Sequence, residues 1–195
     1  MDAPLRVLVV LGSVRRDRVG DRLARYLVAA PAAPDHRPDL LDPTETRLPL
    51  LDRTCKEYPA GAASEAMAAA ARRIAAADAV IVVPAEDNHG IPPALKNLLD
   101  HFLEEWFGMT AGIATYSAGL YGGTRAAMQL RMTLPELGLP IISTLLPVPG
   151  LANVLDVAGE GAPDWLDGAT GGLGEIEWRA EAAWAQRNNR GDGPI

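Results

Sequence analysis

The stretch that decides the fold reads Val7-Leu8-Val9-Val10-Leu11-Gly12-Ser13-Val14-Arg15-Arg16-Asp17-Arg18-Val19-Gly20. Its apolar beginning is short, bounded and β-branched, which predicts a buried strand of a parallel sheet. A glycine follows, then the Ser13 hydroxyl and the guanidinium groups of Arg15, Arg16 and Arg18. The helical pattern that comes next supplies free N–H groups and a positive dipole end. A strand, such a loop and a helix together predict a nucleotide or flavin phosphate at the carboxyl end of a sheet.

The same loop has a purely structural interpretation, in which Ser13 caps the following helix and the arginines are solvated. Two familiar phosphate motifs are excluded by spacing. No Gly-Lys-Ser/Thr follows as a P-loop requires, and Gly12 has no glycine two residues later as a dinucleotide fingerprint requires. A monophosphate therefore fits this loop better than a pyrophosphate.

Composition limits the class of protein. The chain has 195 residues, of which 48% are hydrophobic and 22% charged, so we expect one soluble globular domain. A net charge of −7 argues against nonspecific binding to nucleic acid. No apolar run approaches the roughly 20 residues that span a bilayer, and the first residues lack a signal-peptide pattern. One cysteine, Cys55, excludes an intrachain disulfide. These features predict a cytoplasmic protein with no membrane partner.

Strand and helix patterns alternate along the chain. Predicted strands cover residues 7–11, 37–42, 79–83, 112–116 and 140–146. Predicted helices cover residues 19–30, 64–77, 94–106, 124–137 and 175–187. Pro38 places the second strand near a sheet edge. Residues 43–63 are predicted to form a loop, and residues 147–174 show no clear pattern. The last eight residues are expected to fray. The alternation predicts a parallel sheet with helices on both faces.

In such a sheet, ligands bind outside the carboxyl ends of the strands. Three loops fall at that edge, at residues 12–20, 84–92 and 117–123. All three contain small or turn-forming residues, so their backbone N–H and C=O groups can face a ligand. A flat heteroaromatic ring with imide edges suits this kind of recognition.

Three sequence blocks carry a family resemblance. They are Gly12-Ser13-x-Arg15-x-x-Arg18-x-Gly20, then Glu86-x-Asn88-His89-x-x-Pro92-x-x-Leu95-Lys96-Asn97-x-x-Asp100, and Ser117-x-Gly119-x-x-Gly122-Gly123-x-Arg125-Ala126. In these blocks and their spacing the chain resembles the NAD(P)H-dependent FMN reductases, over roughly residues 6–147. The resemblance implies an α/β, flavodoxin-like domain over residues 1–195, with a five-stranded parallel sheet in the order 2-1-3-4-5. Residues 147–195 would be a variable C-terminal extension.

The resemblance also implies a cofactor and a reaction. FMN would lie across the three loops, with its phosphate in the first loop and its ring between the second and third. Hydride would pass from NAD(P)H to the flavin and then to free flavin, a quinone or a similar small acceptor, without a nominated acid–base residue. The implied cofactor-binding residues are Ser13, Arg15, Arg18, Val19, Gly20, Ala85, Glu86, Asp87, Asn88, His89, Ser117, Gly119 and Gly122. A homodimer or homotetramer is expected.

The second loop departs from the family pattern, which usually reads Thr/Ser-Pro-Glu-Tyr-Asn. Here Asp87 stands at the position of the aromatic residue. An anionic side chain near a flavin would disfavour its anionic reduced form, although Asp87 can also point to solvent or bind a cationic substrate. Two alternatives to a general reductase therefore stay open: a flavoenzyme dedicated to one metabolite, and a non-enzymatic electron carrier or sensor.

Further side chains allow a structural or a functional interpretation. His101 is expected at the surface or in an interface, and Phe102 and Trp106 in the core or against a second subunit. Trp178 and Trp184 are candidates to dock the last helix. The three histidines are not at metal-ligand spacing, so no metal is predicted.

Overall fold

Five parallel strands form one sheet in the computed structural model, which describes residues 4–29 and 36–190. The strands are β1 Arg6–Leu11, β2 Arg37–Leu41, β3 Ala79–Val83, β4 Thr110–Ser117 and β5 Ile141–Pro149. Their order is β2-β1-β3-β4-β5, and every pairing is parallel. The predicted fold class and strand order are confirmed, and β2 lies at an edge as Pro38 indicates.

Helices cover both faces of this sheet. They are α1 Gly20–Ala29, α2 Pro43–Thr46, α3 Glu65–Ala75, α4 Pro93–His101, α5 Thr124–Glu136, α6 Asp164–Gly171 and α7 Glu175–Arg190. One core lies between the sheet and helices α3, α4 and α5. The other lies between the sheet and helices α1, α6 and α7. Within the described parts of the chain, no helix is both long and apolar enough to cross a membrane.

The helix after β3 is shorter than predicted. It ends at His101, because Phe102 adopts an extended backbone and turns its ring into the core. Residues Glu104–Trp106 then form a separate 3-10 turn, and the Trp106 indole N–H donates to the Leu99 carbonyl over 3.2 Å. The apolar spacing continues across the break, which is why the pattern resembled one helix.

His101 is fully buried, so the expected surface position is wrong. Its Nδ1 lies 2.7 Å from the Asn97 carbonyl oxygen, one helical turn earlier. Phe102 and Trp106 are buried as well, which supports their interpretation as core residues.

The segment expected to be a loop after β2 contains α2 and a 3-10 turn at Cys55–Glu57. Helix α2 begins because the Asp42 carboxylate accepts a 2.8 Å hydrogen bond from the Thr44 N–H, and Pro43 suits the first helical position. Asp42 is thus a cap rather than a strand residue.

The end of the chain is also more ordered than its pattern suggested. Strand β5 extends to Pro149, since an edge strand tolerates prolines. Helix α7 docks through buried Ile176 and Ala180, whereas Trp178 is 69% exposed, so its predicted docking role is wrong. The predicted ends of the first helix at residue 30 and of the frayed tail at 191–195 lie outside the described residues.

Candidate functional site at the carboxyl edge of the sheet

The three predicted loops meet at one edge of the sheet. The first loop is tied to β3, because the Gly12 N–H donates to the Val83 carbonyl over 2.9 Å. The second loop pairs with the end of β4 through a parallel bridge between Ala85 and Tyr116. The third predicted loop, at residues 117–123, begins at the next residue, Ser117, which is the last residue of β4. The predicted juxtaposition of the three loops is therefore present.

Tyr116 lies at the centre of this junction, and the sequence reasoning did not nominate it. Its side chain is buried and reaches the first loop so closely that a Cβ on Gly20 would lie 2.2 Å from the Tyr116 hydroxyl oxygen. Real atoms do not approach so closely, so a side chain at position 20 would displace either the ring or the start of α1. Gly20 is required here by close packing.

Groups from the first and second loops act on the Tyr116 hydroxyl. Burial is the largest cause that raises the pKa of Tyr116, to about 12, and the Asp87 carboxylate raises it further. Ser13 and Arg18 oppose the increase, by a hydrogen bond and by charge respectively. The phenol is therefore neutral at physiological pH, and Asp87 of the second loop faces the same junction as Ser13 of the first.

The first loop offers a donor set that suits a phosphate. Ser13 is buried, and its Oγ accepts a 3.4 Å hydrogen bond from the Arg15 N–H, while the Arg15 side chain is exposed. The loop leads into α1. The N–H groups of Val19, just before the helix, and of Gly20, its first residue, have no carbonyl acceptor one turn earlier within the helix. A hydroxyl, free amides and a guanidinium at a helix N-terminus match the chemistry of a phosphate.

Arg18, also predicted to bind the phosphate, has another partner. Its guanidinium forms an ion pair with Asp42, in which both side chains are largely buried. It also donates to the Ser13 carbonyl oxygen over 2.8 Å. Although burial alone would raise the pKa of Asp42, the hydrogen bonds from Arg18 and Thr44 hold it below its ordinary value. Arg18 therefore links the first loop to the N-terminus of α2.

The second loop is a tight turn with an unusual backbone. Asn88 and His89 both have positive φ, at 49° and 66°, and Asp87 and Gly90 exchange backbone hydrogen bonds of 3.0 and 2.9 Å across them. Two consecutive positive φ angles are typical of type I′ turns, and they are uncommon for residues other than glycine. Such backbone conformations are concentrated at functional sites.

The Glu86 side chain, another predicted cofactor ligand, fixes this turn to α5. Its carboxylate accepts hydrogen bonds from the Arg125 backbone N–H at 3.0 Å and from the Arg125 guanidinium at 3.1 Å. Burial would raise the pKa of Glu86, but these bonds lower it overall. The Ile91 N–H also donates to the Gln129 side chain over 3.0 Å. The second loop is therefore held on α5 at both ends.

Hydroxyl groups at the end of β4 hold the third loop through its own carbonyl groups. The buried Thr115 hydroxyl donates to the Gly122 carbonyl over 2.7 Å, and the Ser117 hydroxyl donates to the Gly119 carbonyl over 3.0 Å. Gly122 has a φ of 57° and packs against the backbone of β5, where a Cβ would lie 3.0 Å from Pro149 and Val148 nitrogens. Gly119 faces open space. The exposed tip of this loop can therefore lie against a planar ligand.

Sequence reasoning missed Tyr116, Asp42 and Arg125 as parts of the site. The first two had a readable signal: Tyr116 immediately precedes the third loop, and Asp42 precedes Pro43 at the end of a strand, as helix caps do. Arg125 stands in the third motif block, but no local pattern predicts its contact with Glu86, because 39 residues separate the two.

The fold and this end of the sheet define a doubly wound α/β protein, with a first loop whose donors suit an anion beside two loops that present backbone groups. The chain belongs to the NADPH-dependent FMN reductase family, whose model matches residues 5–152.

Relatives with known names agree with this assignment. The quinone reductase of Escherichia coli K12 is 29% identical over 194 residues, covering 93% of this chain and all of that protein. The NAD(P)H-dependent FMN reductase LOT6 of Saccharomyces cerevisiae is 28% identical over 150 residues, covering 71% of this chain and 78% of that protein. A 2-hydroxy-1,4-benzoquinone reductase of a Burkholderia species is 33% identical over 133 residues, covering 65% of this chain and 68% of that protein.

Solved structures show the same fold. FerB of Paracoccus denitrificans, a flavoenzyme NAD(P)H:acceptor oxidoreductase, has a TM-score of 0.70 at 22% identity and covers 93% of this chain and 98% of its own. The apo form of the NADH:FMN oxidoreductase EMOB has a TM-score of 0.62 at 18% identity and covers 91% and 89% of the two chains.

Proposed function

We propose that this protein is an FMN-dependent NAD(P)H oxidoreductase that reduces a flavin, a quinone or a similar small acceptor. Family membership and the names of the relatives support the reaction class. The observation that carries the proposal for this chain is the meeting of the three loops around Tyr116, beside the N-terminus of α1.

In this proposal the first loop binds the cofactor phosphate. The Ser13 hydroxyl, the Arg15 guanidinium and the amides of Val19 and Gly20 are the donors. Arg18 has a positioning role: it pairs with Asp42 and donates to the Ser13 carbonyl, which holds the loop in place.

The ring of FMN would lie between the second and third loops, and bound FMN would supply the two-electron chemistry. The backbone of the turn from Ala85 to His89 and of the loop from Ser117 to Gly122 would face it. The neutral Tyr116 phenol keeps its proton up to a pH of about 12, so it acts as a hydrogen-bond donor or acceptor and not as a base. The Asp87 carboxylate adds negative charge beside the proposed ring site, which would disfavour the anionic form of the reduced flavin.

An FMN titration tests the cofactor claim. We expect the fluorescence of FMN to be quenched on binding, with a dissociation constant in the micromolar range or below. Arg15→Gln should weaken binding by about tenfold, because a charge-assisted contact to phosphate is lost. Arg53→Gln, which removes the same charge from an exposed loop position, is the matched control and should not change binding. Absence of saturable FMN binding would refute the proposal.

The enzymatic claim has a separate test. Saturable oxidation of NADH or NADPH with a quinone acceptor is expected, and it distinguishes a reductase from an electron carrier, which needs no hydride-donor site. If the protein binds FMN but oxidises neither nucleotide with any quinone or flavin, the carrier interpretation replaces the reductase one.

We also propose that the protein is cytoplasmic and assembles into a homodimer, or a homotetramer built from dimers. Large apolar side chains are exposed beside the proposed ring site, on the third loop and on α5. They are Leu120, Tyr121, Met128 and Met132. Leu120 and Tyr121 are adjacent in the chain, and Met128 and Met132 lie one helical turn apart on α5. Exposed apolar side chains of this kind are typical of an interface, and here they would place a second copy next to the flavin.

A further inference from the structure

A cavity lies at the amino ends of the strands, whereas the proposed FMN site lies at their carboxyl ends. It has a volume of about 510 Å³, within the range of small-molecule sites, and lies between the amino ends of β1 and β2 and the outer part of α3. Its walls combine apolar side chains with arginines. None of the residues implied by the family resemblance lies there.

Four arginines line this cavity: Arg6, Arg37, Arg72 and Arg73. Asp39 is the carboxylate among its lining residues. The whole chain has a net charge of −7, so this concentration of positive charge runs against the overall composition. A basic cavity on an acidic protein selects anionic ligands locally without giving the molecule a general affinity for polyanions.

Two of these arginines are neighbours in the sheet. Arg6 of β1 and Arg37 of β2 are partners in the parallel register, so their side chains project from the same face. Leu8 and Leu41, two and four residues further along these strands, are buried in the core beneath α3, which shows that this is the α3 face. Neighbouring strands lie about 4.8 Å apart, and like charges on adjacent positions of one face repel each other. A bound anion would relieve that repulsion.

The other two arginines are already positioned by carboxylates. Arg73 donates two hydrogen bonds to Asp39, of 2.8 and 2.7 Å, and Arg72 donates a 2.7 Å bond to Glu65. Among the described residues, no ion pair within 4.0 Å engages the guanidinium of Arg6 or Arg37. The Asp78 carboxylate is near, but it accepts from the Arg6 backbone N–H at 3.0 Å. Arg6 and Arg37 are thus the groups available to a ligand.

The remaining walls are apolar and small. Leu8 and Ala77 form a buried floor, and Pro38, Ala69 and Ala76 line the sides. Such walls suit the organic body of a ligand rather than a bare ion, because apolar surface gains nothing from a hydrated ion.

We propose that this cavity binds a small organic phosphate, with the dianionic head held between Arg6 and Arg37 and the organic part against the apolar floor. Two adjacent guanidinium groups match the two charges and the several acceptor oxygens of a phosphate monoester. A monocarboxylate supplies one charge and would leave the repulsion between the two arginines only partly compensated.

Phenyl phosphate is a suitable probe, because it joins a dianionic head to a compact apolar body. Isothermal titration would be made on the protein saturated with FMN, so that the loop at residues 12–20 is not available to the probe. Inorganic phosphate and benzoate are the comparison ligands. We expect phenyl phosphate to bind with a submillimolar dissociation constant and both comparison ligands to bind at least about tenfold more weakly.

Arg6→Gln and Arg37→Gln should each weaken phenyl phosphate binding by about tenfold, and the exposed control Arg53→Gln should not. Both target side chains are exposed, so the folded state should tolerate the changes, and circular dichroism checks this. Backbone amide shifts of Leu8 and Ala77 on titration give a second, independent readout. Equal binding of inorganic phosphate would overturn the proposal, because the apolar floor would then contribute nothing to binding. Binding that neither variant weakens, or no saturable binding, would overturn the proposal.

Discussion

Single residues at the loop junction are constrained by close packing. The Tyr116 ring occupies the space that a side chain at Gly20 would need. Gly123, with a φ of 84°, lies so close to the end of β4 that a Cβ there would be 2.8 Å from the Tyr116 carbonyl oxygen. Tyr116 therefore contacts both the loop before α1 and the start of α5. This residue couples the proposed phosphate loop to the proposed ring site.

Gly20→Ala should lower the free energy of unfolding by about 1–3 kcal/mol, because the added methyl group overlaps the Tyr116 side chain. Urea denaturation measures the effect. Gly168→Ala is the control, since its Cβ would meet open space in α6, and there we expect a gain of about 0.5–1 kcal/mol. Equal responses of the two variants would contradict the close contact.

Tyr116 should titrate well above the ordinary range of a tyrosine, because burial raises its pKa. Its folded pKa of about 12 lies above the ordinary value of 10, so the protein gains stability from the neutral phenol below pH 10. That contribution is lost as the pH rises from 10 through about 12, because the unfolded chain deprotonates first. Absorbance of tyrosinate against pH should show a late step that Tyr116→Phe removes, and the variant should lose less stability over this interval. A late step that persists in the variant would assign it to another tyrosine.

Whole elements are joined to the site by side chains that bridge distant parts of the chain. Asp42 caps α2 and holds Arg18 of the first loop, while Glu86 of the second loop holds Arg125 at the start of α5. In both cases a carboxylate at the carboxyl end of a strand fixes the neighbouring element. These links position the loops before any ligand binds.

Asp42→Asn should destabilise the fold by about 1–3 kcal/mol, since the amide can still cap α2 but leaves Arg18 without its counter-charge. Because the folded pKa of Asp42 is lowered, its stabilising contribution is present above the ordinary value of 3.8 and is lost as the pH falls through the folded pKa. The variant should therefore lose less stability in this acidic range. Asp52→Asn, at an exposed position, is the matched control, and a similar effect there would contradict the assignment.

Glu86→Gln should weaken FMN binding by about tenfold with a smaller effect on unfolding, because the turn at Asn88 and His89 loses its charged anchor on α5. Fluorescence titration measures the affinity, and urea denaturation measures the stability. Glu104→Gln, on an exposed carboxylate away from the three loops, serves as the control. Unchanged affinity in Glu86→Gln would show that the turn keeps its shape without this anchor.

At the scale of the whole molecule, the two proposed sites lie at opposite ends of the parallel strands. The carboxyl edge carries the three loops, and the amino edge carries the arginine-lined cavity. The two sites share no lining residue. A variant at one edge is therefore expected to leave ligand binding at the other unchanged.

The proposed oligomer depends on the exposed side chains of α5 and the third loop. Replacing Met128 and Met132 together by lysine should shift the protein to monomers, because it places two charges in a surface that would otherwise be desolvated. Sedimentation velocity measures the assembly, and Arg53→Lys serves as a surface control. A wild-type protein that sediments as a monomer at micromolar concentration would exclude the dimer, and a variant that stays dimeric would place the interface elsewhere.

Local sequence patterns determined the elements of this protein. The apolar run at residues 79–83 matches the bounds of β3, and the predicted helix over residues 64–77 contains α3, which begins after Ser64. The Ser64 hydroxyl caps that helix by accepting from the Met67 N–H over 3.2 Å. Strands and helices have fixed side-chain periods, so a short window of sequence contains enough information. The resemblance carried by the three motif blocks predicted the strand order, and it predicted that the three loops form one FMN site.

Only the tertiary structure decided which partners the polar and aromatic side chains take. Arg18 faces Asp42 because β1 and β2 are adjacent, although 24 residues separate the two in sequence. His101 is buried and Trp178 is exposed for the same kind of reason, since helix orientation depends on what packs against each face. Local periodicity specifies an element, but contacts between elements depend on their arrangement in space, which no short window of sequence encodes.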